Sequence, residues 1–292
     1  MDRFVFLTLD GLTRGAVYSA FALALVIIWR ATRVVNFAQG VMAVAALYAG
    51  FSVIEATGSY WTGLAAAIVV GLILGVLVER LVMRHVERTA PLNAVVVALG
   101  LVLLIKGAVG MVYGNEFRPV STPFSRTAIE LGGVPAVSPY DLFVFAVVAA
   151  LVGGLALLFT RTPVGLRLRA SAFAPEVSRL LGVRVARMLT LGWALASAVG
   201  ALAGVLIVPT ELGLHPSAMD LVFVSVFTAA VVGGLDSPIG AVVGGLVVGL
   251  ALSYVSGYLG ADLTPIAALL LLVAVLLVRP SGLFSTTRVR QV

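Results

Sequence analysis

The stretch Thr62–Val82, TGLAAAIVVGLILGVLVERLV, carries no charge over its first seventeen residues and then meets Glu79 and Arg80. A helix rises 1.5 Å per residue, so about 20 such residues cross the hydrocarbon core of a bilayer. A helix of that length on a soluble protein would show a polar face, and this stretch has none. Arg80, Arg84 and Arg88 follow it, the pattern of a span that halts at a basic loop. The same rule carried outward places spans at about 12–29, 34–54, 62–82, 91–113, 140–160, 187–209, 218–234, 239–258 and 262–278. The fold class is therefore all-α: a polytopic transmembrane helical bundle of about nine spans, eight to ten being compatible, in a single domain over residues 1–292.

Composition agrees. Charged residues make up 11% of the chain against roughly 25% in soluble domains, and the mean hydropathy of +1.14 is that of a membrane protein. The net charge of +6 therefore does not point to nucleic acid, because the Arg residues sit between spans and report topology. Arg161, Arg167, Arg169, Arg179, Arg184 and Arg187 share one loop, about 161–187, with a single acid, Glu176. Arg279, Arg288 and Arg290 mark the C-terminal tail, whereas the connections near Glu55–Tyr60, Glu211–Asp220 and Tyr258–Asp262 hold no Lys or Arg. This asymmetry puts the Arg loops and the C-terminus in the cytoplasm and, with nine spans, the N-terminus outside. The connection of about 114–139 is rich in Pro, Ser, Thr and Gly and reads as an external loop with room for a short hairpin.

Several chemistries are excluded. His85 and His215 are the sole histidines, no HExxH is present and Cys is absent, which removes metalloprotease and thiol chemistry. His215, beside Pro216, reads as a solvated turn residue. No G-x-x-x-x-G-K-[ST] run occurs, so the chain holds no nucleotide through a P-loop of its own. Acids gather at span ends rather than forming an intramembrane relay. The description is a conduit without a motor.

Polar residues inside the spans are then the informative ones. Asn36 and Gln39 lie three apart near the start of the second span, where they either hold a bend through interhelical hydrogen bonds or contact a solute. Lys106 sits in the outer part of the fourth span and either snorkels to the external surface or attracts a carboxylate. Asp10 and Arg14 interrupt the first apolar stretch. Six glycine pairs at four-residue spacing, Gly11/Gly15, Gly71/Gly75, Gly110/Gly114, Gly200/Gly204, Gly240/Gly244 and Gly245/Gly249, predict close helix approach.

The Arg loop contains APEVSRLLG, residues 174–182. Pro175 and Glu176 suit a helix N-terminus, and Gly182 suits a left-handed stop. Val177, Leu180 and Leu181 fall on one face, and two turns of helix are too short to stand alone in water. That face either docks on a partner or lies on lipid headgroups.

The Glu176-x-x-x-x-x-Gly182 spacing resembles the E-A-A-x-x-x-G loop of ABC importer permeases, with Val177 and Ser178 in place of the two alanines. The chain as a whole looks like the branched-chain amino acid permease subunits of that superfamily. Val35–Gly40 (VNFAQG) is similar to their I-N-F-A-H-G element, residues 233–241 (GGLDSPIGA) to their G-G-x-G-S-x-x-G-A run, and Arg279–Phe284 (RPSGLF) to their R-P-x-G-L-F ending. Gln39 stands where the family has His, and Asp236 where it has Gly. The resemblance implies a bacterial inner-membrane, multi-pass permease for branched-chain or related amino acids. Its partners would be two ABC ATPase subunits, a second homologous permease in a heterodimer, an extracytoplasmic substrate-binding protein and membrane lipid. It implies no cofactor in this chain, since the ATPases would bind and hydrolyse ATP. ATPase coupling would fall to Glu176, Val177, Arg179, Leu180, Leu181, Gly182 and Arg184, and the substrate path to Asn36, Phe37, Gln39, Gly40 and Lys106. The alternatives are a stand-alone secondary transporter of a small polar solute and a permease of the same family for urea or short amides.

Overall fold

A computed structural model describes residues 2–86, 91–131, 134–210 and 213–284. Its helices are α1 (Asp2–Thr32), α2 (Gln39–Thr57), α3 (Tyr60–Val78), α4 (Arg84–Val86), α5 (Pro91–Tyr113), α6 (Pro139–Arg161), α7 (Pro163–Phe173), α8 (Pro175–Leu180), α9 (Val185–Ile207), α10 (Asp220–Gly233), α11 (Pro238–Tyr258) and α12 (Thr264–Val278). A π-turn, Glu79–Met83, joins α3 to α4 as one continuous rod. Among the described residues eight helices are long and apolar enough to cross a membrane, and α10 is a shorter apolar helix of 14 residues that runs alongside them. The connection between α5 and α6 carries the expected hairpin, β1 (Ile129–Leu131) antiparallel to β2 (Val134–Val137).

The bundle is organised around α1 and α9, whose side chains are the most thoroughly buried of the spans. Small residues set how closely their neighbours approach. A Cβ added at Gly15 would lie 2.8 Å from the Cα of Leu246, and one at Gly11 2.9 Å from that of Leu250, so α1 and α11 touch backbone to backbone. Gly71 and Gly75 bring α3 equally close to Ser197 and Trp193 of α9, and Gly240 and Gly244 face α10. Gly200 and Gly204 instead leave room for α2 side chains, Gln39 and Leu47. The Gly110/Gly114 pair differs from the expectation: Gly110 meets only Asn115, and Gly114 ends α5 at φ +80°.

Contacts across the helix ends fix their relative directions. Ser253 Oγ donates to Leu7 O at 2.8 Å at one end. At the other, Leu283 N–H donates to Val232 O at 2.9 Å and Phe284 N–H to Gly233 O at 3.2 Å. The traverses alternate, so α1 begins at the end opposite Arg279–Phe284. The second end also collects the C-terminus of α1, α4, α7, α8 and the Gly234–Ser237 turn, and with them most of the described Arg residues. Arg88, Glu211, Arg288 and Arg290 lie outside the described residues.

Two boundaries depart from expectation. α1 starts about ten residues before the predicted span, because Asp10 and Arg14 pair at 2.9 Å on one helix face and Ser253 donates to Asp10 at 2.8 Å, so neither charge breaks the helix. The second span begins at Gln39 rather than 34, because Arg33 takes a left-handed φ of +62° and residues 33–38 run back into the bundle without helical bonding.

Candidate functional site

At the Arg-rich end, α7 and α8 form an elbow. Ala174 N-caps α8, Pro175 and Glu176 open it, and Gly182 at φ +81° closes it. Gly182 N–H donates to Arg179 O at 3.0 Å and Val183 N–H to Ser178 O at 2.9 Å, which satisfies carbonyls the short helix leaves open. Ser178 is buried and anchors one face. The opposite face is bare: Val177 is 55% exposed, Leu180 87% and Leu181 78%. Phe173 at the end of α7 extends the apolar patch, and Glu176, Arg179, Gly182 and Arg184 are exposed around it. A six-residue helix that leaves Val177 and Leu180 bare, with Leu181 beside them at its C-cap, is an unusually exposed apolar surface.

Mid-bundle, the polar residues of the 35–40 element turn inward. Asn36 lies before the helix rather than on its face, and its Oδ1 accepts from Ala38 N–H at 3.0 Å. Its Nδ2 donates to Gln39 Oε1 at 3.0 Å, and Gln39 Nε2 donates to Ala196 O of α9 at 3.0 Å. Both amides are buried, and this chain of bonds pins the start of α2 to the middle of α9. Phe37 is only half buried and meets Phe223 and Phe227 of α10 at ring separations of 6.1 and 6.0 Å. Gly40 packs beside Met219 and Phe223 at ordinary contact distance.

Lys106 is not solitary. Its Nζ meets Asp220 Oδ2, the first residue of α10, at 2.5 Å, and both side chains remain partly exposed. Asp220 lies one helical turn from Phe223, so a pair of opposite charges sits next to the aromatic cluster. His215 opens a turn, as expected, and is partly covered: its ring lies 4.3 Å from that of Phe117, and Nδ1 accepts from Ser217 N–H at 3.2 Å. Burial holds its imidazole below the ordinary 6.5, with Asp220 opposing and Lys106 reinforcing that shift. The neighbouring loop is stitched down by reciprocal N–H···O bonds of 2.9 Å between Arg118 and Leu214.

One residue's role is not legible in the sequence. Glu79 is 1% exposed, accepts two bonds from Arg84 at 3.0 and 2.9 Å, and takes a third from Thr190 Oγ1 at 2.8 Å. Residues five apart point away from each other on an α-helix, but the π-turn makes them neighbours. Arg33 at the same end pairs with Asp236, the acid that replaces a glycine in the 233–241 run. No group of three His, Asp or Glu able to hold a metal occurs among the described residues.

Residues 7–279 match the family model described as branched-chain amino acid transport system / permease component. The chain is 27% identical to the high-affinity branched-chain amino acid transport system permease protein LivH of Escherichia coli, over 97% of this chain and 96% of that one. It is 26% identical to the corresponding permease protein BraD of Pseudomonas aeruginosa, again over 97% and 96%. A probable LivH of Methanocaldococcus jannaschii is 28% identical over 90% of this chain and 86% of its own. The solved structure of PsaBC from Streptococcus pneumoniae in complex with Fab aligns with a TM-score of 0.52 at 12% identity, covering 93% of this chain and 91% of that chain, a likeness of fold alone.

Proposed function

The chain belongs to the family of permease components of branched-chain amino acid transport systems, and from that premise we propose that it is the membrane-spanning subunit of an ATP-driven importer of branched-chain amino acids. It performs no covalent chemistry. In this reading two separate ATPase subunits bind and hydrolyse ATP, a second homologous permease completes the path, and an extracytoplasmic binding protein delivers the solute. The protein resides in the inner membrane with its C-terminus and Arg-rich end in the cytoplasm, as the positive-inside rule requires.

The observation that carries the proposal is α8. Its stop at Gly182 and its bare face of Val177, Leu180 and Leu181 project from the Arg-rich end, where an ATPase groove would receive them. Arg179 and Arg184 flank the patch and would pair with acids on that groove. ATP-driven closure of the ATPases would then move α8, α7 and α9 together and reopen the bundle on its other side, as alternating access requires.

For the solute, the Lys106–Asp220 pair and the Phe37/Phe223/Phe227 cluster form a match to a zwitterion with an apolar side chain. Lys106 would take the carboxylate, Asp220 the ammonium, and the rings the branched aliphatic group. Asn36, Gln39 and Gly40 would shape the path behind them by fixing where α2 begins.

The test is purification of the tagged chain from its own membrane in mild detergent, with mass spectrometry of what accompanies it. P-loop ATPases and a second permease should co-purify, and Leu180→Glu should remove the ATPases while keeping the permease. A chain that emerges alone, or an L180E variant that retains its ATPases, refutes the coupling role of α8.

A further inference from the structure

Where α6 and α11 diverge on either side of α1, they leave a cleft of about 420 Å³, within the size range of natural ligand pockets. Its walls are apolar, with Ile27 from α1, Leu155 and Phe159 from α6, and Val242 and Val243 from α11. Its polar side chains are confined to one end. These are Arg30 near the C-terminus of α1, Thr160 near the C-terminus of α6, and Arg169 on α7. All three belong to the Arg-rich end of the bundle.

Among the described residues neither of the two arginines makes an ion pair, and they repel one another. The acid close to Arg30, Asp236, is already held by Arg33. Arg30 is half-buried and Arg169 exposed beside it; a half-buried guanidinium without a bonded anion is unfavourable, and basic recesses between spans suit phosphate headgroups. A cleft that is basic at one end and hydrocarbon-like along its remaining length matches a molecule with the same division.

We propose that this cleft binds one anionic phospholipid, its phosphate held between Arg30 and Arg169 and an acyl chain laid against Ile27, Phe159 and Val242. A soluble anion would use the basic end and leave the apolar wall bare. A helix of a second permease would cover the wall and leave the arginines unpaired.

The experiment is a titration of the full chain, delipidated in mild detergent, read by native mass spectrometry. The probes are phosphatidylglycerol, phosphatidylcholine and inorganic phosphate. Phosphatidylglycerol should bind one to one, phosphatidylcholine about tenfold more weakly, and phosphate at millimolar concentration should not displace the lipid. Arg30→Met and Arg169→Met should each weaken phosphatidylglycerol about tenfold. Val242→Trp, which fills the cleft and keeps both arginines, should weaken both lipids, with gel filtration confirming that each variant is folded. Equal binding of the two lipids, unchanged binding in V242W, or displacement by phosphate overturns the proposal. Because the natural chain has no Cys, Ala156→Cys offers one further arm. Disulfide formation between two copies through the exposed position 156 would show that a second permease covers the cleft, which also overturns it.

Discussion

Arg84→Met should loosen the α3–α9 interface at one identifiable point. The substitution removes both guanidinium bonds from a carboxylate that is 1% exposed and leaves it the bond from Thr190. Stripping one partner from a fully buried ion pair costs about 3–5 kcal/mol. The Arg84 side chain is 37% exposed, so water already screens part of the attraction. A loss of about 2–3 kcal/mol is expected, in the range of bonds to a charged group. Glu79→Gln in the same background removes the unpaired charge while keeping an acceptor for Thr190, and should recover at least half of that loss. Trp193, buried in α9 with its carbonyl against Gly75 of α3, places a fluorophore at the interface. Equilibrium unfolding of the purified protein by denaturing detergent, followed by tryptophan emission, reads both variants. If R84M lies within about 0.5 kcal/mol of the wild type, or E79Q/R84M is no better than R84M, the buried pair does not hold α3 to α9 and the reasoning fails.

Other expectations follow from the same contacts. Gly15→Val should destabilise the bundle by about 3 kcal/mol or more, because its side chain would enter the Leu246 backbone and the helices cannot separate without losing their interface; the yield of monodisperse protein on gel filtration reads this. Lys106→Met and Asp220→Asn should each raise the KM for a branched-chain amino acid in reconstituted vesicles by about tenfold, the value of one charge-assisted bond, and unchanged uptake would remove the pair from the solute path. The folded His215 binds its proton more weakly than the unfolded chain does. Its contribution is therefore complete above pH 6.5 and is lost as pH falls below that value. The protection factors of the Leu214, His215 and Ser217 amides, measured against their intrinsic exchange rates, should fall on acidification in the wild type and much less in His215→Gln.

What was legible in the sequence was what repeats locally. Apolar runs of about 20 residues found the spans. Pro175, Glu176 and Gly182 found a six-residue helix whose caps stand where they were expected. Glycines four apart found most of the close approaches, though spacing could not tell Gly114, a helix stop, from Gly249, a contact. What was illegible depends on partners remote along the chain. Asp220 meets Lys106 from 114 residues away, and Thr190 meets Glu79 from 111. Nothing near Lys106 announces its acid, so a lone cation in a span looked free to snorkel. Glu79 looked like the edge of a basic loop because its true neighbour stands five residues on, a spacing that only a π-turn brings together. Asn36 was set on a helix because hydropathy cannot see the left-handed Arg33 that ends the preceding one.

The union of α1 with α11 also has a schedule. Ser253 and Leu7, which bond across it, are 246 residues apart, so a ribosome adding roughly 5–20 residues per second finishes one on the order of 10–50 s after the other. Throughout that interval the face of α1 that α11 will cover has no mate. The two opposite charges of α1, Asp10 and Arg14, sit one turn apart and pair with each other without any help from α11. An internal ion pair of that kind lets the nascent segment leave the insertion machinery and wait. Separating the charges would strand an uncompensated ion in hydrocarbon before Ser253 existed to receive it, so the lesion would arise during biogenesis rather than in the finished protein.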